Sequence, residues 1–200
     1  MANLDDLVME DYYDESENFT GKIPQGVYPA HIVDMNVKEN IDIKSRTESG
    51  VKHQCDIYEF TYEIAPEAAS EEYKINDTEV VKGQAFVGKT VKGKGVFKFK
   101  SVPKDKVGYK PNAGGNGGFK KFLDSIGIEL ETKEIEDSRG ARTVLVLPDL
   151  TIADVKGKPA LVTVTHREWE GKEGKTMVSV EVNGTKEWST GKALEEDIPF

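Results

Sequence analysis

The sequence predicts a mainly β fold, a small antiparallel barrel carrying one inserted helix between flexible acidic termini. Three observations lead there: short stretches in which apolar and polar residues alternate, a single segment with helical spacing, and no repeated strand–helix alternation of the kind a parallel sheet needs. A chain of 200 residues then holds one domain with tails.

Residues 1–22 carry seven acids against Lys22 and show no sustained periodicity, so they read as a mobile acidic arm. Ile23-Pro24-Gln25-Gly26 supplies turn chemistry, and Val27 to Val37 reads as the first strand. Cys55 to Ile64 alternates clearly. Asp56, Tyr58, Phe60, Tyr62 and Ile64 share one largely aromatic, buried face, and Ile57, Glu59, Thr61 and Glu63 share the other. After a polar insertion from Pro66 to Asp77, Val87 to Lys100 gives the next strand, in which Val91, Phe97 and Phe99 alternate with Lys92, Lys94, Lys98 and Lys100. Gly93 and Gly95 within it predict a bend or bulge. Alternating aromatics are usually buried, so Phe97 and Phe99 are expected in the core, leaving the four lysines as a charged stripe on one side of the strand.

The glycine-rich run Asn112 to Gly118 reads as a flexible loop. It leads into the helix, about Phe119 to Ile126, whose Phe119, Phe122, Leu123 and Ile126 form an i, i+3, i+4, i+7 stripe with Gly127 placed to cap it. Val144 to Leu147 is a short strand stopped by Pro148. The last pair is a hairpin, Ala160 to Trp169 and Thr176 to Val182, turning around Gly171 to Gly174. Val162 and Val164 share a core face with Val178, Val180 and Val182, which places Thr163, Thr165, Arg167 and Trp169 outside with Met177, Ser179 and Glu181. Five or so strands and one helix over residues 23–183 favour an OB-like barrel, with residues 184–200 as a flexible acidic tail.

The net charge of −9 conceals a segregation: from Lys82 to Lys121 there are eleven lysines and one acid, a segment of +10. Such asymmetry points to an anionic partner. Within this segment the lysines are interleaved with Phe86, Phe97, Phe99, Tyr109 and Phe119, which pairs cations for phosphates with aromatic faces on which unpaired bases stack. Single-stranded DNA, bound with little sequence preference, is the expected ligand. The residues expected to contact it are Lys89, Lys92, Lys94, Lys98, Lys100, Tyr109, Arg167 and Trp169. Arg167 and Trp169 are the better stacking candidates because they point away from the valine core, although Trp169 covering a barrel end is an equal alternative. Tyr109 lies in a basic loop, Lys104 to Lys110, expected to close over a bound strand.

Gly83-Gln84-Ala85-Phe86-Val87-Gly88-Lys89-Thr90 matches the phosphate-loop pattern letter for letter. That chemistry needs a helix after the loop, whereas Val91 to Lys98 alternates like a strand, so a nucleotide hydrolase using Lys89 is the lesser alternative. His31, His53, Cys55 and His166 offer no paired metal-ligand spacing beyond His53-Gln54-Cys55, and no serine or cysteine sits in an activating motif. No metal, cofactor or enzymatic activity is expected. Cys55 is the sole cysteine, which excludes an internal disulfide, and no secretory signal or membrane span is recognised, so a reducing cytoplasm is expected.

The chain finishes in Glu195-Glu196-Asp197-Ile198-Pro199-Phe200. An apolar aromatic end on an acidic stem is a docking ligand: Phe200 fills a pocket, its carboxylate pairs with a base, and Pro199 lowers the ordering cost. These six residues closely resemble the acidic tip of bacterial single-stranded DNA-binding proteins. The resemblance implies that they recruit replication, recombination and repair proteins and compete with DNA for the binding groove. The body more closely resembles phage-encoded single-strand-binding proteins, in Gly26-Val27-Tyr28, the Phe119 to Gly127 helix and Gly157-Lys158-Pro159. That implies a phage origin and a bacterial host cytoplasm. A protein-only adaptor is the third reading, and the oligomeric state, including a homo-oligomer, is left open.

Overall fold

The computed structural model describes residues 22–102, 106–112, 114–137, 140–170 and 176–194. β1 (Gly26–Lys44) and β2 (Lys52–Ile64) form a long antiparallel ribbon from Ala30↔Ile64 to Lys44↔Lys52. The first strand runs seven residues beyond its predicted end at Val37 because Asn40, at φ 56°, forms a bulge there. Asparagine tolerates the left-handed region. Its N–H donates to the Asp56 carboxylate at 2.9 Å, and pairing resumes at Ile41↔Cys55.

The polar insertion folds into a lid on one end of the barrel. A 3₁₀ turn (Pro66–Ser70) precedes β3 (Glu72–Lys74), which pairs with β4 (Val80–Lys82), and a second 3₁₀ turn (Gly83–Phe86) follows. Tyr73 from this lid stacks on Tyr28 at 4.0 Å, and Phe86 meets both rings edge-on at 6.0 and 6.1 Å. Gly83 is obligatory there, since a Cβ would lie 1.8 Å from the Ala68 carbonyl oxygen.

β5 (Thr90–Gly93) and β6 (Val96–Phe99) both pair antiparallel with β2 and are one strand broken by the expected bulge, with Gly95 at φ 89°. α1 (Gly117–Ser125) buries Phe119, Phe122 and Leu123 on the predicted stripe, continued by buried Ile126. Gly127, at φ 69°, ends it, with Ile128 N–H donating back to Leu123 O at 3.0 Å. β7 (Thr132–Asp137) and β8 (Gly140–Leu145) make a separate two-stranded ribbon. Its first strand, Thr-Lys-Glu-Ile-Glu-Asp, escapes the sequence reading because it is solvated on both faces and carries no apolar alternation. α2 (Ile152–Val155) starts at a capping box between Thr151 and Asp154.

β9 (Pro159–Glu170) and β10 (Thr176–Lys186) form the final hairpin in the expected register, Val164↔Val182 and Trp169↔Met177. Val162, Val164 and Val182 are buried. β9 also pairs with β1, and β10 with β5, which closes the sheet in the order β1–β2–β5/β6–β10–β9–β1. The result is a mainly β, closed five-stranded OB-like barrel, with α1 inserted between the third and fourth barrel strands. The β5–β10 pairing is parallel, a departure from the all-antiparallel expectation.

The chain beyond residue 183 is not a free tail over its described part. β10 continues to Lys186, Trp188 lies 5.5 Å from the His31 ring, and His31 Nε2 donates to Lys192 O at 2.8 Å. Leu194 N–H then donates to Gly157 O at 3.0 Å. Trp188 and the close approach at Gly157 supply the packing that composition alone did not reveal. No helix among the described residues is long and apolar enough to cross a membrane. The N-terminal arm expected over residues 1–22 falls outside the described residues except for Lys22.

Candidate nucleic-acid interface

In an antiparallel ladder, directly opposed residues share a face. On β2 the even-numbered residues from Asp56 to Ile64 face the core, as expected, and the odd-numbered ones face outward. Opposite them, Val91↔Tyr62 is inward and Lys92↔Thr61 outward. Past the bulge the numbering slips by one: Val96↔Tyr58 and Lys98↔Asp56 are inward, and Phe97↔Ile57 and Phe99↔Cys55 are outward. One extra residue in a strand turns every later side chain to the other face.

This overturns two expectations together. Phe97 and Phe99 are not core residues; Phe97 is 39% exposed, Phe99 half-buried, and their rings lie nearly parallel, 6.3 Å apart and 19° in plane. His53 on the same face meets Phe99 edge-on at 6.2 Å. Its Nδ1 must carry the hydrogen, because its partner at 2.8 Å, the Lys110 carbonyl oxygen, can only accept. The lysine stripe, correspondingly, does not exist. Lys98 turns inward, donating to Pro148 O at 2.8 Å and Asp149 Oδ1 at 2.5 Å over the Phe119 ring. Lys100 pairs with Asp56 at 2.8 Å, and that carboxylate is 6% exposed.

Lys92 remains outward and exposed, and Lys94 is tied to Asn183 at 2.9 Å and Glu181 at 3.2 Å. Arg167 and Trp169 lie on the outer face of the β9–β10 hairpin as predicted, with Trp169 43% exposed beside Met177 at 48%. Neither Lys92 nor Arg167 makes an ion pair among the described residues. Tyr109 does not join this face. It bridges to Lys52, its hydroxyl donates to Asp42, and Lys106 and Lys52 lie 4.0 and 5.9 Å from its ring, on the side of the β1–β2 ribbon away from Phe97. The described part of the loop expected to close over a strand, residues 106–110, is thus fastened by side chain and backbone. Lys89 caps Phe86 at the lid, 5.6 Å from the ring centroid.

The phosphate-loop reading fails on geometry. Gly83 to Phe86 is a 3₁₀ turn leading into β5, and the amides that would wrap a phosphate are taken: Gly83 by Glu71 O, Gly88 by Ile64 O and Lys89 by Phe86 O, at 2.7 to 2.9 Å. The +10 segment is also less basic in space than in sequence. Among the described residues, lysines 94, 98, 100, 110 and 120 of this segment sit in ion pairs with acids, which offsets part of its charge. No group of three or more His, Cys, Asp or Glu among the described residues is placed to hold a metal ion.

Several carboxylates are tuned by these contacts. The Lys98 ammonium holds Asp149 below its ordinary value of 3.8, and Lys38, with help from Asn36, holds Glu59 below 4.5. Donation from Tyr109 lowers Asp42 from 3.8 and raises the phenol. A carboxylate with a depressed folded-state pKa contributes stability that is complete above its unfolded value and lost as the pH falls through the folded one. The urea midpoint is therefore expected to hold between pH 7 and 5 and to drop between about pH 4.5 and 2, measured by tryptophan fluorescence. Burial pushes the Cys55 thiol up, which leaves it protonated and unreactive at neutral pH.

The chain matches no family model, no curated protein and no solved structure. The tip at Glu195 to Phe200 lies outside the described residues.

Proposed function

We propose that this protein binds single-stranded DNA across the outer face of its barrel. The observation that carries the reading is the exposed, near-parallel Phe97–Phe99 pair on the β2–β6 sheet. In OB folds the face of the second and third strands and the flanking loops take oligonucleotides. On that sheet Phe97 is 39% exposed and Phe99 half-buried, and each outward ring offers about 1 to 3 kcal/mol to a stacked base. Lys92 and Arg167 supply cations on the same outer surface, and Trp169 with Met177 adds an apolar platform at the far hairpin end. The expected site is therefore Phe97, Phe99, His53, Lys92, Arg167 and Trp169. Lys98 and Lys100 act as structural ties.

Titration of the full chain with oligo(dT), followed by Trp169 and Trp188 fluorescence at several salt concentrations, tests the reading. Binding should weaken steeply with salt, and Lys92→Ala or Arg167→Ala should each reduce the log–log salt slope by roughly 0.7, the single-strand value per phosphate contact. Absence of binding at low salt overturns it and leaves the protein-only adaptor, which the pairing of so many lysines with the chain's own acids favours.

The docking role of Glu195 to Phe200 is part of the same proposal. Anchorage of Leu194 on Gly157 leaves six residues beyond it, which span about 20 Å at full extension. The reach expected of a free tail over residues 184–200 shrinks accordingly. Deleting Glu195 to Phe200 is expected to leave oligo(dT) affinity unchanged or raised, and a loss of affinity would overturn competition between tip and DNA.

A further inference from the structure

The lid and the C-terminal strap leave a cleft between them on the outside of the barrel. Along β1, Tyr28 and Ala30 are buried inward, so Val27 and Pro29 face outward, where their β9 partners are Thr163 and Leu161. Val27 stays 47% exposed. On one side of this floor stands the lid, from Glu67 to Lys74, and on the other the strap, with Trp188 and Thr190. The cleft holds about 810 Å³, and Val27, Pro29, Leu161 and half-buried Trp188 give it an apolar base.

The lid wall is acidic. Glu67, Glu71 and Glu72 are exposed there, and among the described residues none of their carboxylates makes a hydrogen bond or an ion pair. Lys74 is the one cation among the described lining residues. Burial, with the Glu71 carboxylate adding to it, pushes the Tyr73 phenol on the same wall up to about 12. Uncompensated carboxylates beside apolar surface set a negative potential over it, the reverse of the outer face that carries Lys92 and Arg167. Nucleic acid is therefore repelled from this cleft. Residues 1–22 and Glu195 to Phe200 carry the same sign, so neither acidic end of the chain suits it.

We propose that this cleft docks a short basic segment of a partner protein, whose apolar side chains rest on Val27 and Leu161 while its arginines or lysines pair with Glu67, Glu71 and Glu72. Charge complementarity selects the sign of the occupant. The apolar base selects a peptide over a bare polycation such as spermidine, which has no side chain to bury there. The volume lies towards the upper end of the roughly 300 to 1,000 Å³ of ligand clefts, room for several side chains. The cleft shares no residue with the proposed DNA site, so the inference goes beyond the single-strand reading and does not depend on it.

The test uses the full chain carrying Trp169→Phe, which leaves Trp188 as its only tryptophan. Trp188 emission is followed at low salt against a capped hexapeptide of alternating arginine and leucine, its glutamate–leucine counterpart, and spermidine. The arginine–leucine peptide is expected to shift the emission and to bind less well as salt is added. Glu67→Gln, Glu71→Gln and Glu72→Gln combined should weaken that peptide about 10-fold, and Val27→Ser about 3-fold. The triple variant should fold as the parent does, because the three carboxylates are exposed and unpaired among the described residues. Val27→Ser is compared where a urea titration shows it folded. No shift with the arginine–leucine peptide, an equal shift with the glutamate–leucine peptide, or parental affinity in the triple variant overturns the proposal. Spermidine binding as tightly as the peptide, with Val27→Ser without effect, makes the cleft a small-polycation site and overturns it too. Self-association by sedimentation that the triple variant abolishes makes a second copy of this chain the occupant, which overturns the partner protein as well.

Discussion

Replacing Phe97 and Phe99 together with alanine is expected to lower oligo(dT) affinity by about 30-fold or more, roughly 2 kcal/mol, measured without denaturant where the variant is still folded. Phe97 is 39% exposed and Phe99 half-buried, so the urea midpoint also falls, but the loss of affinity in the folded variant has its own cause: a stacked base loses its platform. The variant should retain the parent's salt slope, because no phosphate contact is removed. Lys92→Ala and Arg167→Ala should do the reverse and flatten the slope. Equal affinity of the Phe97/Phe99 variant and the parent, measured by fluorescence or anisotropy at matched salt, would show that the exposed pair is not the stacking surface.

Lys100→Ala is expected to destabilise the protein by about 3 kcal/mol, although the residue lies in the most basic stretch of the chain and reads as a phosphate ligand. The Asp56 carboxylate is 6% exposed and accepts from Lys100 at 2.8 Å and from the Asn40 N–H at 2.9 Å. Removing the lysine strands a buried charge that one amide cannot satisfy. The same substitution at Lys92, which is exposed and unpaired among the described residues, should change stability by less than about 0.5 kcal/mol. Asp56→Asn placed in the Lys100→Ala background should recover much of the loss, since it removes the stranded charge. Urea titrations of the four proteins decide the matter, and a Lys100→Ala variant as stable as the parent would mean that Asp56 is solvated by another route.

Much of the barrel was legible residue by residue. The β2 alternation, the Phe119–Ile126 stripe with Gly127 behind it, and the valine face of the last hairpin each depend on a local period that packing then obeys. The bulge at Gly93 to Gly95 was legible as well. A bulge inverts the faces downstream, which turns Phe97 and Phe99 outward and Lys98 and Lys100 inward, against the simple alternation of the strand. By contrast, the Asn40 bulge, the β7 strand and the strap through Trp188 and Leu194 have no periodic signature. The Asn40 bulge and the strap depend on partners distant in sequence, namely Asp56, His31 and Gly157, and β7 is held by backbone pairing with the adjoining β8.

By itself the sequence determined the β-rich barrel, the place of its helix, the outward direction of Arg167 and Trp169, and the concentration of lysine between residues 82 and 121. Each is a property of neighbours along the chain. Only the tertiary structure decided which of those lysines remain available, because Lys94, Lys98, Lys100 and Lys110 meet acids brought from elsewhere, and pairing across a fold is invisible to a running charge count. It also decided which aromatics meet solvent, because a single extra residue opposite β2 reverses the face of everything after it.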